Sequence, residues 1–153
     1  MSSPILAAPS GHLASDLKGV WWLETREDWT KEGERRIDPT LGSDPMGMVT
    51  YSGTHFAAQF MKRDRSQPST IVSSGQNNTI AVGGYDAYFG TYKVDEETGK
   101  VQHTLLGSLT PANTGMSISR DLRVDGDRLM LQLETTTIEG EPVLRTLTWK
   151  RLS

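Results

Sequence analysis

The side chains that could do chemistry in this 153-residue chain are His103, Arg120 and Glu27, because strand alternation turns each toward a predicted interior. Histidine exchanges a proton near neutral pH, since its unperturbed pKa is about 6.5. The guanidinium of arginine stays charged and presents a rigid fork of donors, which suits a ligand carboxylate or a developing enolate. We therefore expect His103 or Glu27 to move a proton and Arg120 to stabilise negative charge.

The same residues also have structural interpretations. His103 could be a hydrogen-bonded histidine of the core, and Arg120 could form a buried ion pair with Glu27. A buried charge is costly unless it is paired, so an internal pair of this kind is physically sound. The sequence leaves both interpretations open.

A second group of side chains is predicted to contact a ligand. Tyr88 and Tyr92 could donate hydrogen bonds to a ligand carbonyl or fill the interior with their rings. Trp29 and Tyr51 are placed at the mouth of the pocket. An apolar pocket with a few convergent polar groups is the usual site for a small molecule. The predicted binding residues are Tyr88, Tyr92, Trp29, Tyr51, Phe60, Leu131, Leu133 and Arg145.

Composition and motifs exclude several classes of chemistry. The chain has no cysteine, so thiolate metal sites, a cysteine nucleophile and disulfides are ruled out. Its three histidines lie far apart in the sequence, and no nucleophile elbow, phosphate loop or dinucleotide fingerprint is present. We expect no metal and no cofactor. A net charge of -3 argues against a nucleic-acid partner.

Short alternating segments separated by turn residues predict the elements that position these side chains. Asp125-Gly126 is a strong hairpin signal, and the stretches at 52–54 and 96–99 also read as hairpin links. Strands are predicted at 19–29, 46–51, 55–61, 87–95, 100–109, 115–124, 128–137 and 142–152, with an irregular or helical stretch over 80–86. The prediction is therefore an all-β protein, an eight-stranded antiparallel up-and-down barrel with a central small-molecule cavity.

The first residues have a different character. Residues 1–16 are small and polar, and they are expected to form a flexible N-terminal leader before a single domain at 17–153. No basic segment followed by an apolar run indicates a signal peptide, and no stretch approaches the about 20 apolar residues of a membrane helix. The expected location is the cytoplasm, without a membrane partner. The oligomeric state is left open, a homodimer included.

Several stretches together resemble the bacterial and fungal lipocalin-like domain family. Gly19-Val20-Trp21 is similar to the Gly-x-Trp element of lipocalins, and Arg151 occupies the place of the basic residue that packs across the tryptophan at the barrel floor. The resemblance covers roughly residues 17–152. The other matching stretches are 45–51, 58–65, 85–95, 101–103 and 108–111, followed by Asn113, Gly115, Arg120, Gly126, Asp127 and 147–151.

This resemblance implies a calycin-type barrel. It does not imply a single function, because barrels of this type have several. Similar barrels, including those like allene oxide cyclase, act as cofactor-free cyclases, isomerases or pericyclases of natural-product pathways, whereas others only bind apolar molecules. The leading expectation is thus a cofactor-independent cyclase or isomerase for a polyketide- or terpenoid-like molecule. The alternative is a non-catalytic carrier of a small hydrophobic ligand, and a filled barrel without a ligand is a third option. The segments at 30–45 and 66–79, and Thr114, depart from the family pattern.

Overall fold

The strand pattern becomes one closed antiparallel sheet in the computed structural model, which describes residues 12–66 and 81–153. The segments at 1–11 and 67–80 lie outside the described residues. A short helix, α1, spans Leu13–Leu17, and a 3-10 helix spans Pro111–Asn113. The strands are β1 Gly19–Trp29, β2 Arg35–Arg36, β3 Met46–Tyr51, β4 His55–Met61, β5 Tyr85–Asp95, β6 Lys100–Ser108, β7 Ser117–Asp125, β8 Arg128–Thr136 and β9 Pro142–Arg151.

The eight long strands close into a barrel, which confirms the predicted fold class. From β3 to β9 each strand pairs with its neighbour in the sequence, and β1 pairs with both β3 and β9. The β1–β9 ladder runs from Trp21↔Arg151 to Trp29↔Leu144 and joins the two edges of the sheet. The two-residue strand β2 pairs with the end of β1 and was not predicted. Strand β5 begins at Tyr85, so the irregular stretch expected to continue to residue 86 ends earlier.

Alternate residues of the strands fill the barrel, as the period of two requires. Removing this apolar surface from water is the main source of stability. The fully buried side chains include aromatic and branched residues from strands all around the barrel: Trp21, Leu23, Tyr51, Val101, Leu105, Ile118, Leu122, Leu129 and Trp149.

A bulge in β1 changes which residues of this strand face the interior. The register against β9 shifts between Leu23 and Thr25. Leu23 is therefore buried before the bulge, whereas Arg26 and Asp28 are buried after it. Glu27 is half-buried on the opposite face. The prediction that Glu27 faces the interior is wrong, because strict alternation does not continue across a bulge.

The floor of the barrel is built by α1 and the ends of β1 and β9. Leu13 and Leu17 are buried, and the indole nitrogen of Trp21 donates to the carbonyl of Leu17 at 2.9 Å. The Arg151 guanidinium lies 4.2 Å from the centre of the Trp21 ring, a cation–π contact that confirms the expected pair. Its Nη1 and Nη2 atoms also donate to the carbonyls of Lys18 and Asp16.

The turn between β5 and β6 holds the beginning of α1. The Glu96 carboxylate accepts hydrogen bonds from the amides of Leu13 and Ala14 at 2.8 and 3.0 Å. These amides have no partner within the helix, so the carboxylate satisfies them. The division into a leader at 1–16 and a domain at 17–153 stays a prediction. No helix in the described ranges is long and apolar enough to cross a membrane.

Gly90 in β5 lies against the backbone of the neighbouring strand β6, so a substitution there measures how tightly the barrel wall is packed. A Cβ at Gly90 would lie 1.8 Å from the backbone oxygen of Thr104, whereas the nearest atoms to one at Gly107 belong to the ring of Phe89, an exposed side chain. We expect Gly90→Ala to lower the free energy of unfolding by about 3 kcal/mol, because backbone must move. Gly107→Ala, in which the ring can rotate, is expected to cost about 1 kcal/mol or less. Urea unfolding of both variants measures the difference, and equal losses would contradict the packing argument.

Candidate functional site

The barrel interior contains a small cavity that is lined by both apolar and polar side chains. Its volume is about 30 Å³, which is enough for a water molecule, since one water needs about 10–15 Å³ of such space. It is lined by strands from all sides and by Thr40 and Leu41 of the long segment between β2 and β3. The polar or charged residues in its lining are Arg26, Asp38, Thr40, Tyr51, Asp86, Tyr88, His103, Arg120 and Arg145. The apolar body of a larger molecule needs space beyond this cavity.

His103 sits on β6 in the middle of an aromatic cluster. Its Nε2 atom lies 2.7 Å from the hydroxyl of Tyr51, and its ring stacks on Phe56 at 4.1 Å between centroids. Burial, reinforced by the positive charge of Arg120, lowers the pKa of His103 to about 3. The imidazole is therefore neutral at physiological pH. It can give or accept a hydrogen bond, but it is a weaker base than the sequence led us to expect.

Tyr51 and Arg120 keep their protons in this environment. Burial raises the pKa of Tyr51 well above its ordinary value, so its phenol remains a donor. Burial lowers the pKa of Arg120 to about 10, which leaves the guanidinium charged at neutral pH. Arg120 forms a hydrogen bond with the side chain of Tyr88. The alternative of a buried Arg120–Glu27 ion pair is wrong, because the bulge turns Glu27 to the other face.

Two further ion pairs lie at the mouth end of the interior. Arg145 donates from Nε and Nη2 to both carboxylate oxygens of Asp28, at 2.7 and 2.9 Å. Arg26 donates from Nη2 to Asp38 at 3.1 Å. Sequence reasoning missed Arg26, Asp28 and Asp38. The bulge hides the first two, and Asp38 lies in a segment without periodicity.

Three buried nitrogen atoms around the cavity have no hydrogen-bond partner among the described residues. They are Nδ1 of His103, Nη1 of Arg145 and Nε1 of Trp149. All three residues line the cavity. The arginine and tryptophan nitrogens can only donate, whereas Nδ1 of a neutral histidine can donate or accept. A ligand oxygen that enters the cavity would therefore meet unsatisfied donors.

A larger cleft opens beside the cavity. Its volume is about 850 Å³, and Leu133 lines both spaces. Apolar lining comes from Trp29, Pro142, Val143 and Leu144, and Lys31, Lys100, Asp121 and Glu134 are its charged residues. It lies where the β7–β8 ladder ends at Asp121↔Gln132, while β8 continues along β9 as far as Thr136↔Pro142.

The structure brings most of the predicted site residues together. The cavity is lined by His103, Arg120, Tyr88, Tyr51, Phe60, Leu131, Leu133 and Arg145. Tyr51 is buried inside the barrel and not at its mouth, where the sequence placed it.

The remaining predicted residues lie elsewhere. Tyr92 is buried but does not line the cavity. Its hydroxyl accepts a hydrogen bond from the amide of Gly53 at 2.8 Å. Trp29 lines the cleft, and Glu27 lines neither space. Across residues 12–66 and 81–153, no group of three or more histidine or acidic side chains could hold a metal ion.

The comparisons with known proteins agree with this architecture. A family model described as a lipocalin-like domain matches residues 18–152. No curated protein matches the chain. The match spans the whole barrel, from the residue before β1 to the residue after β9.

The lowered pKa of His103 predicts how stability depends on pH. Above about pH 6.5 this histidine is neutral in both the folded and unfolded states; below it, only the unfolded state takes up the proton. Its contribution to stability therefore falls by roughly 2–3 kcal/mol as the pH drops from about 7 to about 4.5. We expect His103→Phe to remove this part of the slope in chemical unfolding. The matched change at exposed His55, His55→Phe, should leave it intact, and an unchanged slope in His103→Phe would refute the assignment.

Proposed function

This chain belongs to the lipocalin-like domain family, and from that premise we propose that it binds one small, largely apolar molecule through an oxygen at one end. Barrels of eight strands are just wide enough to hold one small ligand. The polar lining of the cavity favours a molecule with a carbonyl, carboxylate or hydroxyl group. A purely hydrocarbon ligand would leave those lining groups unsatisfied.

The observation that carries this proposal is the set of three unsatisfied nitrogens, His103 Nδ1, Arg145 Nη1 and Trp149 Nε1. A buried polar atom without a partner costs about 1–3 kcal/mol, so native interiors rarely contain several together. A ligand oxygen or a bound water in the cavity would satisfy them. A filled barrel that merely stabilises itself has no need of donors that converge on an internal space.

The size of the two spaces suggests how such a molecule is held. The interior cavity accommodates only the polar end, because it holds about 30 Å³. The cleft of about 850 Å³ offers Trp29, Val143 and Leu144 for the apolar body. Leu133 stands at the junction, since it lines both spaces. The ligand would therefore run from the cleft past Leu133 into the barrel.

Binding of Nile red, an apolar fluorescent ketone, tests this arrangement. We expect saturable one-to-one binding with quenching of Trp149, whose ring lines the cavity. Leu133→Trp should weaken binding at least about tenfold, because the larger ring blocks the junction. The control Phe89→Ser removes an exposed outer aromatic and should leave affinity unchanged. Loss of binding in the control together with full binding in Leu133→Trp would place the dye on the outer surface and reject the proposal.

A second candidate is catalysis, and the hydrogen bond between Tyr51 and His103 favours it. We propose that a polyketide- or terpenoid-like chain folds in the barrel for cyclisation or a pericyclic rearrangement without a cofactor. With His103 neutral and Tyr51 protonated, the pair is suited to polarise a carbonyl by hydrogen bonding. Arg120 would add positive charge beside it. Glu27 faces away from the cavity and takes no part, and the reaction needs no strong base.

The catalytic candidate is tested with a linear trienone, whose carbonyl activates an internal cycloaddition that forms two carbon–carbon bonds and releases nothing. We expect the protein to accelerate ring formation and Tyr51→Phe to lower the rate about tenfold, because one hydrogen bond to the carbonyl is weakened. Product analysis against a reaction without protein measures the effect. His55→Phe is the control. A rate equal to the background would leave only the binding function. A cytoplasmic location and a homodimer stay predictions.

A further inference from the structure

A carboxylate of the chain itself already occupies the positive end of the interior. Asp38 lies in the segment between β2 and β3, and its Oδ2 atom is 3.1 Å from Nη2 of Arg26 and 3.9 Å from Nη2 of Arg145. The side chains of all three residues are less than a tenth exposed. This is a buried anion site, and a loop residue supplies the anion.

Among the four charged groups that contact one another here, the charges balance only while Asp38 is in place. Arg26 and Arg145 face two carboxylates, those of Asp28 and Asp38. Asp28 belongs to β1 and holds Arg145 through two hydrogen bonds, so the barrel wall fixes it. Without Asp38 one buried positive charge would remain uncompensated, which is strongly unfavourable. A single negative charge from elsewhere would restore the balance.

The segment around Asp38 closes the cavity as a compact plug, defined here as residues 38–42. The Oδ1 atom of Asp38 accepts hydrogen bonds from the amide and hydroxyl of Thr40, at 2.9 and 2.6 Å. The Asp38 carbonyl accepts from the amides of Leu41 and Gly42. Thr40 and Leu41 are buried and line the cavity. The plug thus fills space that a ligand would need.

We propose that Arg26 and Arg145 form a binding site for an organic carboxylate, which replaces Asp38 and displaces the plug. This inference rests on the proposed binding function and narrows the polar end of the ligand to a carboxylate. A neutral ketone cannot take the place of Asp38 without leaving the excess positive charge. Nη1 of Arg145, which has no partner among the described residues, is available to the second oxygen of the incoming group.

Displacement also accounts for the small size of the cavity. When the plug leaves, the volumes of Thr40 and Leu41 become available next to the arginines. The binding of an acid then exchanges one ion pair for another of the same type. The exposed Asp38 carboxylate regains its hydration, which offsets part of the cost of opening.

The test compares cis-parinaric acid with its methyl ester, which has the same chain without the charge. In the full-length protein, Asp38→Asn should tighten binding of the acid at least about tenfold and change that of the ester less than about twofold. Asparagine keeps the size of the side chain and can still accept from Thr40. The matched control is Asp44→Asn, which removes an equal charge from the same segment at an exposed pair with Arg63. It should change neither affinity.

A second variant checks the cation. Asp38→Asn should increase the ratio of the affinity for the acid to that for the ester. Arg26→Gln, which removes one of the two cations, should abolish this preference for the acid. Equal effects of Asp38→Asn on acid and ester would overturn the carboxylate site while leaving the binding function intact. Absence of binding by both probes in every variant would reject the binding function as well. Circular dichroism establishes that each variant is folded.

Hydrogen exchange tests the displacement separately. In the wild-type protein, saturating cis-parinaric acid should increase amide exchange at residues 40–42 by at least about fivefold, because the bonds to Asp38 are lost. The ester should not. Preferential binding of the acid with unchanged exchange at these amides would show that the anion binds beside the plug, and displacement would be wrong.

Discussion

Pairing between β1 and β9 turns a sheet with two edges into a closed wall, and every group inside that wall loses its contact with bulk water. Apolar side chains gain from this, whereas a charged one must find its counter-charge within the same small volume. The interior of this barrel contains Arg26, Arg120 and Arg145. The arrangement of carboxylates and phenols around these residues is a consequence of having to accommodate those three cations.

The bulge in β1 is the local feature that makes this accommodation possible. Before it, the strand contributes Trp21 and Leu23 to the apolar floor; after it, the same strand contributes Arg26 and Asp28. Within β1, one displaced residue separates an apolar first part from a charged second part. Without the shift, Thr25 and Glu27 would face inward, and Arg145 would lose its partner from the wall.

Residues in uninterrupted strands could be placed from the sequence. His103 and Arg120 were assigned to the interior because apolar neighbours two positions away fix the face: Val101 and Leu105 for the first, Ile118 and Leu122 for the second. In the second half of β1 the buried face carries the charged Arg26 and Asp28, whereas the apolar Trp29 shares the face of Glu27, so hydrophobicity could not reveal that the register had shifted. Asp38 lies in the segment 30–45, which has no periodicity; its partner Arg26 is 12 residues away, and its other partner Arg145 is near the end of the chain. Only the three-dimensional closure brings them together.

The same alternation could not predict how full the barrel is. Face assignments say which side chains enter the interior, but the remaining volume depends on rotamers and on loop residues that fold in from above. Thr40 and Leu41 are such residues, and they reduce the interior to a small polar cavity. Alternation also does not predict hydrogen-bond partners. The inward face of Tyr92 was predicted, but the hydrogen bond that its hydroxyl accepts from the amide of Gly53 was not.

Closure of the sheet also affects the rate at which the chain folds. The ladder that seals the barrel joins residues 21–29 to residues 144–151, so more than 100 residues must be ordered or looped between its two strands. All-β barrels fold slowly, on the order of milliseconds to seconds. During that interval the edges of β1 and β9 are both unpaired. Closure of the barrel therefore also removes two strand edges at which another chain could pair.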